Sequence, residues 1–161
     1  MEGQLKYLKH KITKSKAHIA CNLLKETSLE DLKAYLVFSM DTRGMSGRGE
    51  SFKNLSYGDM SKYLAKDQIA GITFLVDNGY ADPNRIGAWG WSGGGYFTCL
   101  MLTRNGKYFK AGVAIAPCTD FRLYDTAYTE RSMGMPQTYK AGYDSTSALS
   151  WVHKMEGSIL W

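Results

Sequence analysis

The sequence predicts an α/β fold in which a mostly parallel sheet carries helices on both faces. Short apolar segments rich in strand-forming residues alternate with segments whose apolar residues recur at helical spacing. The lengths of these segments suit the right-handed crossovers that join parallel strands. Over 161 residues, 44% hydrophobic and 22% charged content is ordinary globular composition. Sheets of this kind carry their chemistry at the carboxyl ends of the strands.

The sequence of the first half of the chain predicts two helices, a strand and a loop. A short helix over 28–34 begins with a capping signal, and the apolar segment 35–40 is consistent with a buried strand. Residues 41–58 are polar and rich in glycine, which indicates a loop. Apolar residues at helical spacing then predict a helix over 59–77, ended at Gly79 because glycine adopts the left-handed conformation readily.

The second half continues the alternation. Strands are predicted at 85–91 and 109–116, with a helix over 94–103 between them. A further helix is predicted over 145–154, and a last strand begins at 158–161. A parallel sheet that stops there would expose unpaired backbone groups at its edge, so the sequence predicts poor solubility or self-association through that edge.

The segment Gly90-Trp91-Ser92-Gly93-Gly94 fits the pattern G-x-S-x-G. It follows a predicted strand and precedes a predicted helix, the context of the nucleophile elbow in α/β-hydrolase-type folds. Ser92 is then the candidate nucleophile, Gly93 the candidate donor of an oxyanion N–H, and Gly90 and Gly94 the residues that let strand and helix approach closely. The alternative interpretation is a glycine-rich packing turn without a catalytic role.

Residues 36–161 resemble the catalytic domain of the prolyl oligopeptidase family of serine peptidases, especially its dipeptidyl-peptidase branch. The resemblance rests on DTRGMSGRGESF (41–52), DPNRIGAWGWSGGGY (82–96) and YDTAYTERSMGMPQ (124–137). It implies a truncated α/β-hydrolase domain over 34–161, after an unmatched basic segment at 1–33.

The same resemblance implies roles for single residues. Ser92 would be acylated by a peptide substrate, and Tyr124 and Tyr128 would line the pocket for a proline or alanine side chain. Flat aromatic faces suit a compact apolar group. Without the resemblance, ordinary half-buried packing of the two tyrosines is the favoured interpretation. Arg43 and Arg48, in the first matching stretch, are predicted to pin their loop rather than to steer a substrate carboxylate.

The partners of a catalytic serine are missing from the sequence pattern. In this fold the chain order is serine, then an acid, then histidine. His153 alone follows Ser92, and it falls on a predicted helix that is not catalytic in the family. His10 and His18 come before the serine, in the wrong order. The chain is therefore expected to be a fragment that lacks the catalytic Asp and His.

Charge and cysteine content exclude several other functions. The net charge of +5 comes from lysines within residues 1–25, without the arginines or interleaved aromatics typical of nucleic-acid binding. Cys21, Cys99 and Cys118 are too widely spaced for a metal site, and no cofactor motif is present. No apolar segment has the ~20 residues of a membrane span.

Three functions stay open at this point. The first is a serine-type peptidase that cleaves after Pro or Ala through acylation of Ser92. The second is a catalytically inactive remnant of such a peptidase. The third is another acyl hydrolase, such as an esterase, on the same fold, since a fold does not fix the substrate.

Overall fold

The computed structural model describes residues 36–160. The chain divides into two compact units, Met1–Met40 and Asp41–Trp161. The helix predicted over 28–34 lies outside the described residues. The division of the chain at residue 33 stays a prediction.

Helices and strands alternate through the second unit. The α-helices are α1 (Glu50–Lys53), α2 (Leu64–Asp77), α3 (Gly93–Asn105), α4 (Thr126–Met133) and α5 (Lys140–Thr146). The strands are β1 (Gly87–Trp91), β2 (Ala111–Ile115) and β3 (Ser158–Leu160). Short 3₁₀ helices lie at Asn54–Ser56, Gly106–Tyr108, Phe121–Leu123 and Ala148–Lys154.

The three strands form a parallel sheet in the order β1-β2-β3. Trp91 pairs with Ile115, so β1 and β2 end at the same level. The predicted strands 85–91, 109–116 and 158–161 are confirmed, each a little longer than the observed strand, with Trp161 outside the described residues. Adjacent parallel strands that end together bring the loops after them to one edge, where a site is expected.

Helix α3 covers one face of this sheet and forms most of the core. Leu100 and Leu102 are fully buried. A Cβ on Gly112 would lie 2.3 Å from Leu102 Cδ1, so β2 approaches the helix closely because residue 112 has no side chain. Leu64 joins α2 to the same core. The interior therefore holds α3 rigidly beneath the strand ends.

The opposite face of the sheet is open in the part of the chain that the structure describes. Trp89, Val113 and Leu160 are in register across the three strands. Trp89 and Leu160 are 48% and 66% exposed. Within residues 36–160 the predicted helical cover is therefore present on one face. The self-association predicted for the sheet edge stays a prediction.

The strand predicted at 35–40 is wrong for the five residues that the structure describes. Residues 36–40 form no ladder hydrogen bonds that define a strand. Leu36 and Val37 are 47% and 46% exposed rather than buried. An apolar run favours burial, but a strand also needs a neighbouring strand to pair with.

Other elements differ from the prediction in their limits or type. The helix predicted from residue 59 begins at Leu64, because the Asp59 carboxylate accepts from the Ser61 N–H at 2.9 Å and holds a turn there. Its end is confirmed, with Gly79 at φ 71°. The helix predicted over 145–154 is divided, since α5 ends at Thr146 and the next seven-residue helix is of the 3₁₀ type.

Candidate active site

Ser92 occupies a strained corner between β1 and α3. Its backbone has φ 53° and ψ −112°, a conformation that residues other than glycine rarely adopt. The Ser92 N–H donates to Ile115 O at 2.8 Å, and Ser92 O accepts from Tyr96 N at 2.9 Å. The backbone is thus fixed on both sides while the residue itself is exposed. This is the geometry expected of a nucleophile elbow.

Glycines around Ser92 make the corner possible. A Cβ on Gly90 would lie 2.3 Å from the Gly94 carbonyl carbon, so the strand passes the helix in direct backbone contact. A Cβ on Gly95 would lie 2.8 Å from Ile115 O. At Gly94 a Cβ would meet nothing within 4 Å. The strand therefore approaches the helix backbone at Gly94 because residue 90 has no side chain, and Gly95 is the helix residue whose own Cβ would collide with β2.

Gly93 and Trp91 flank the serine in different ways. Gly93 is the first residue of α3, so its N–H is one of those without a partner inside the helix. Such N–H groups favour negative charge at a helix N-terminus. Trp91 is 69% exposed and lies on the open face of the sheet.

A cavity of about 230 Å³ opens beside Ser92. Its other walls come from the segment directly after β2, so the ends of two paired strands meet there. The lining residues are Ser92, Ala116, Pro117, Cys118, Thr119, Asp120, Leu123 and Tyr124. The structure thus brings together two of the residues singled out in the sequence, Ser92 and Tyr124.

Tyr128 does not line the cavity, but its ring packs against that of Tyr124, which does. The rings of Tyr124 and Tyr128 meet edge to face with centroids 5.6 Å apart. Phe121, only 4% exposed, lies beneath both, at 6.5 Å from Tyr124 and 6.4 Å from Tyr128. Asp125 caps α4 by accepting from the Tyr128 N–H at 2.8 Å. The two tyrosines are therefore the exposed rim of a packed aromatic cluster.

Sequence reasoning missed Phe121, Cys118 and Ala116. The available signal was position, since all three follow the strand next to β1, and chemistry in parallel sheets gathers at such ends. Ala116 has φ 45°, so strained residues stand immediately after both paired strands. Strain of this kind persists only where the surroundings enforce it, and it concentrates at functional sites.

Burial keeps two titratable groups near Ser92 protonated, so neither is available as a general base. Burial raises the pKa of the Cys118 thiol, whose Sγ donates to Asp120 O at 3.4 Å. Burial likewise raises the pKa of Tyr96 well above its usual value, and its hydroxyl has no hydrogen-bond partner among the described residues. His153 is exposed on the 3₁₀ helix Ala148–Lys154 and does not line the cavity. His10 and His18 lie outside the described residues.

Arg43 pins its loop to α2. Its Nε donates to Asp67 Oδ1 at 3.0 Å and its backbone N–H to Asp67 Oδ2 at 2.8 Å, while its guanidinium lies 4.2 Å from the Tyr63 ring centre. Burial acts to raise the pKa of Asp67, but the hydrogen bonds and charge of Arg43 outweigh it and hold that pKa below its ordinary value. The side chain thus has a structural partner, as the sequence predicts.

Residues 36–160 contain no group of three or more His, Cys, Asp or Glu side chains placed to hold a metal ion. Nor does this part of the chain contain a helix long and apolar enough to cross a bilayer. The polar groups of the cavity are the hydroxyls, thiol, carboxylate and backbone groups of residue 92, residues 116–120 and residues 123 and 124.

Fungal relatives match most of this chain. A protein of Pyrenophora teres described as dipeptidyl-aminopeptidase B is 39% identical over 132 residues, which are 81% of this chain and 14% of that protein. The corresponding protein of Podospora anserina is 41% identical over 126 residues, 78% of this chain and 14% of its own length. The chain therefore spans about one seventh of the curated relatives it matches.

Solved structures and a family model agree with these relatives. Dipeptidyl peptidase 4 of Porphyromonas gingivalis is 42% identical with a TM-score of 0.70, covering 74% of this chain and 17% of that one. A Bacteroides ovatus protein described as a dipeptidyl aminopeptidase IV is 35% identical with a TM-score of 0.71 and the same coverage. The model of the prolyl oligopeptidase family matches residues 25–161. The chain thus belongs to the prolyl oligopeptidase family of serine peptidases.

Proposed function

We propose that this chain carries the nucleophile and part of the specificity pocket of a dipeptidyl-peptidase-type serine peptidase. The observation that supports this most directly is the corner at Ser92. It has φ 53°, it lies between two strand ends, and it opens on a cavity. Strain at an exposed hydroxyl has no packing benefit, whereas an acylating serine requires it.

The proposed reaction is acyl transfer to Ser92. Its Oγ attacks the scissile carbonyl carbon, forms the C–O bond that becomes the acyl-enzyme ester, and gives up its proton to a general base. The carbonyl oxygen gains negative charge in the tetrahedral state and accepts a hydrogen bond from the Gly93 N–H. The C–N bond then breaks, and the leaving amine takes the proton from the base. Water hydrolyses the ester by the same steps in reverse and frees Ser92.

The cavity supports a preference for cleavage after proline or alanine. Its volume of about 230 Å³ suits a small side chain or a ring better than an extended one. Tyr124 contributes an aromatic face to its wall, and Tyr128 supports that ring edge to face. A rigid aromatic face binds a compact apolar group at low entropic cost.

We propose that the general base and its orienting acid lie outside the described residues. A serine hydroxyl needs such a base, and His153 lies away from the cavity lining. The chain spans only about 14% of the fungal relatives' length, so most of the length of those proteins lies outside the region that matches this chain. We therefore propose peptidase activity for a protein that contains this chain together with the regions that supply the base and the acid.

Fluorophosphonate labelling tests the role of Ser92. In the full-length protein that carries this chain, we expect the probe to attach at residue 92 and labelling to be lost in Ser92→Ala. Ser51→Ala, a change at an exposed serine on α1, is the control and should label like the wild type. Labelling that survives in Ser92→Ala would contradict the proposal.

Among residues 36–160 the cavity lining holds no imidazole, which favours one alternative, a catalytically inactive remnant. It predicts that the wild-type protein neither labels nor releases p-nitroaniline from a Gly-Pro reporter. Release of p-nitroaniline would exclude it. A panel of esters and peptides compares the peptidase with another acyl hydrolase, because an esterase would turn over the esters alone.

A further inference from the structure

The cavity wall opposite Ser92 depends on a very short helix. The 3₁₀ helix Phe121–Leu123 has three residues. Its last residue, Leu123, and the next residue, Tyr124, line the cavity. A single turn of this kind has poor hydrogen-bond geometry and no cooperative length of its own. Its orientation must therefore be set by contacts with the rest of the molecule.

Side chains from both ends of this turn hold it. Asp120 caps it, accepting from the Arg122 N–H at 2.8 Å. Phe121 anchors it from below in the core. Arg122 extends outward and bridges two carboxylates, with Nη1 3.3 Å from Asp120 Oδ2 and Nη2 2.5 Å from Asp144 Oδ1. We call Asp120, Arg122 and Asp144 the ionic clamp.

The far end of the clamp rests on a firm support. Asp144 lies on α5, where Lys140 Nζ also contacts its Oδ2 at 2.6 Å. The adjacent Tyr143 is 1% exposed, and its hydroxyl donates to Gly134 O at 2.8 Å. The Arg122 guanidinium also lies 5.4 Å from the Tyr143 ring centre. The clamp thus connects the three-residue turn to a helix that is anchored by the buried side chains of Tyr143 and Thr146.

The exposures of the three side chains indicate what the clamp does. The Asp120 side chain is 14% exposed, that of Arg122 32% and that of Asp144 48%. Ion pairs this open add little to global stability. A planar guanidinium between two carboxylates nevertheless fixes direction, because its donors have a rigid geometry. Orientation of the turn, rather than stability of the fold, is therefore what the clamp controls.

We propose that Arg122 is a positioning residue for substrate selection. By tying the turn Phe121–Leu123 to α5, the ionic clamp sets where Tyr124 stands relative to Ser92 and so how well a proline-sized group fits between them. This rests on the proposed role of the cavity. Arg122 itself does not line the cavity and acts through the wall it holds.

The first measurement compares two probes of Ser92 in the full-length protein. A small alkyl fluorophosphonate does not need the pocket, whereas a prolyl phosphonate ester does. In Arg122→Gln we expect the rate with the prolyl probe to fall roughly tenfold, because small misplacements of a binding wall have effects of this order. The rate with the alkyl probe should change less than twofold. Arg122→Lys keeps the charge and should restore part of the prolyl rate.

The second measurement does not require Ser92 to be a nucleophile. Cys118 lines the same cavity, so its alkylation by iodoacetamide, located by peptide mass, reports how tightly the wall is held. It should proceed faster in Arg122→Gln and in Asp144→Asn than in the wild type. Lys53→Gln breaks a matched exposed ion pair, with Glu50 on α1 away from the cavity, and should change neither measurement.

Each result decides between named outcomes. Equal loss with both probes, or unchanged rates with both, would overturn the positioning role while the peptidase proposal stands. Unchanged Cys118 alkylation in both clamp variants would overturn it as well. If the wild type fails to label at Ser92, the peptidase proposal fails, and faster Cys118 alkylation would still support the clamp as the support of this wall.

Discussion

The two walls of the cavity are built by different means. On the Ser92 side the backbone decides the geometry, because the Gly90 and Gly94 backbones touch and the Ser92 N–H is fixed to Ile115 O. On the side of residues 117–128 the side chains decide it, through stacked rings and the ionic clamp. On the first wall an added Cβ at Gly90 or Gly95 would collide with backbone atoms, and the second wall depends on pairwise contacts that can be removed singly.

This difference matters for the proposed chemistry. A reacting hydroxyl needs a fixed position, and backbone contact supplies it without rotamer freedom. A specificity wall needs the right surface, and side chains can be exchanged there without disturbing the sheet. Substitutions on the Ser92 side are therefore expected to lower mainly the stability of the fold, and substitutions on the other side mainly the reactivity toward a prolyl probe.

The largest effect is expected at Gly90. In Gly90→Ala the new Cβ would lie 2.3 Å from the Gly94 carbonyl carbon, and neither backbone can move aside alone. We expect a loss of at least about 3 kcal/mol in the free energy of unfolding, at the upper end for overpacking. Gly94→Ala is the control, since its Cβ would meet nothing within 4 Å. Urea denaturation measures both, and equal losses would contradict backbone control of this wall.

A smaller effect on stability is expected at the tyrosine rim. Tyr124 and Tyr128 are 46% and 43% exposed, and an aromatic pair contributes ~0.5–1.5 kcal/mol beyond its buried area. Replacing either by alanine should lower the free energy of unfolding by about 1–2 kcal/mol. Reactivity of Ser92 toward a prolyl probe should fall more than reactivity toward a small alkyl one. A fall in alkyl labelling as large as the prolyl one would show that the two walls are not independent.

The smallest effect is expected from acid on the clamp. Lys140 and then Arg122 hold the pKa of Asp144 below its ordinary value of 3.8. A depressed carboxyl pKa contributes above the unfolded value and loses its contribution as pH falls through the folded one. Amide hydrogen exchange at residues 121–124, corrected for intrinsic rates, should therefore become faster relative to α3 only below about pH 3.8. In Asp144→Asn this pH dependence should be absent, and its persistence would assign it to another group.

Local signals explain what the sequence predicted well. The elbow was found because its glycines and serine lie within five positions, and the end of α2 because Gly79 marks it directly. The motif predicts a role for Gly94 and not for Gly95, because it gives the spacing of the glycines but not the helix position at which a Cβ would collide with the sheet. The Arg122–Asp144 contact was missed because its partners are 22 positions apart and follow no pattern.

Tertiary context explains the remaining errors. Residues 36–40 have strand composition, yet composition does not supply a pairing partner. The sequence does not predict α4, and it predicts α5 only at residues 145 and 146, because eight- and seven-residue segments show little periodicity. Their positions depend on the buried side chains of Met133 and Tyr143 rather than on a local pattern. Fold class and nucleophile candidate thus follow from the sequence, whereas the support of the specificity wall does not.

The bond from the Ser92 N–H to Ile115 O has a consequence for biosynthesis. Twenty-three positions separate the two residues, so 23 further residues must emerge from the ribosome after Ser92 before this hydrogen bond between the strand ends can form. Until then the unusual torsion at position 92 is held only by local contacts, such as the bond from the Tyr96 N–H to Ser92 O. The corner at Ser92 is therefore complete only after β1 and β2 have paired.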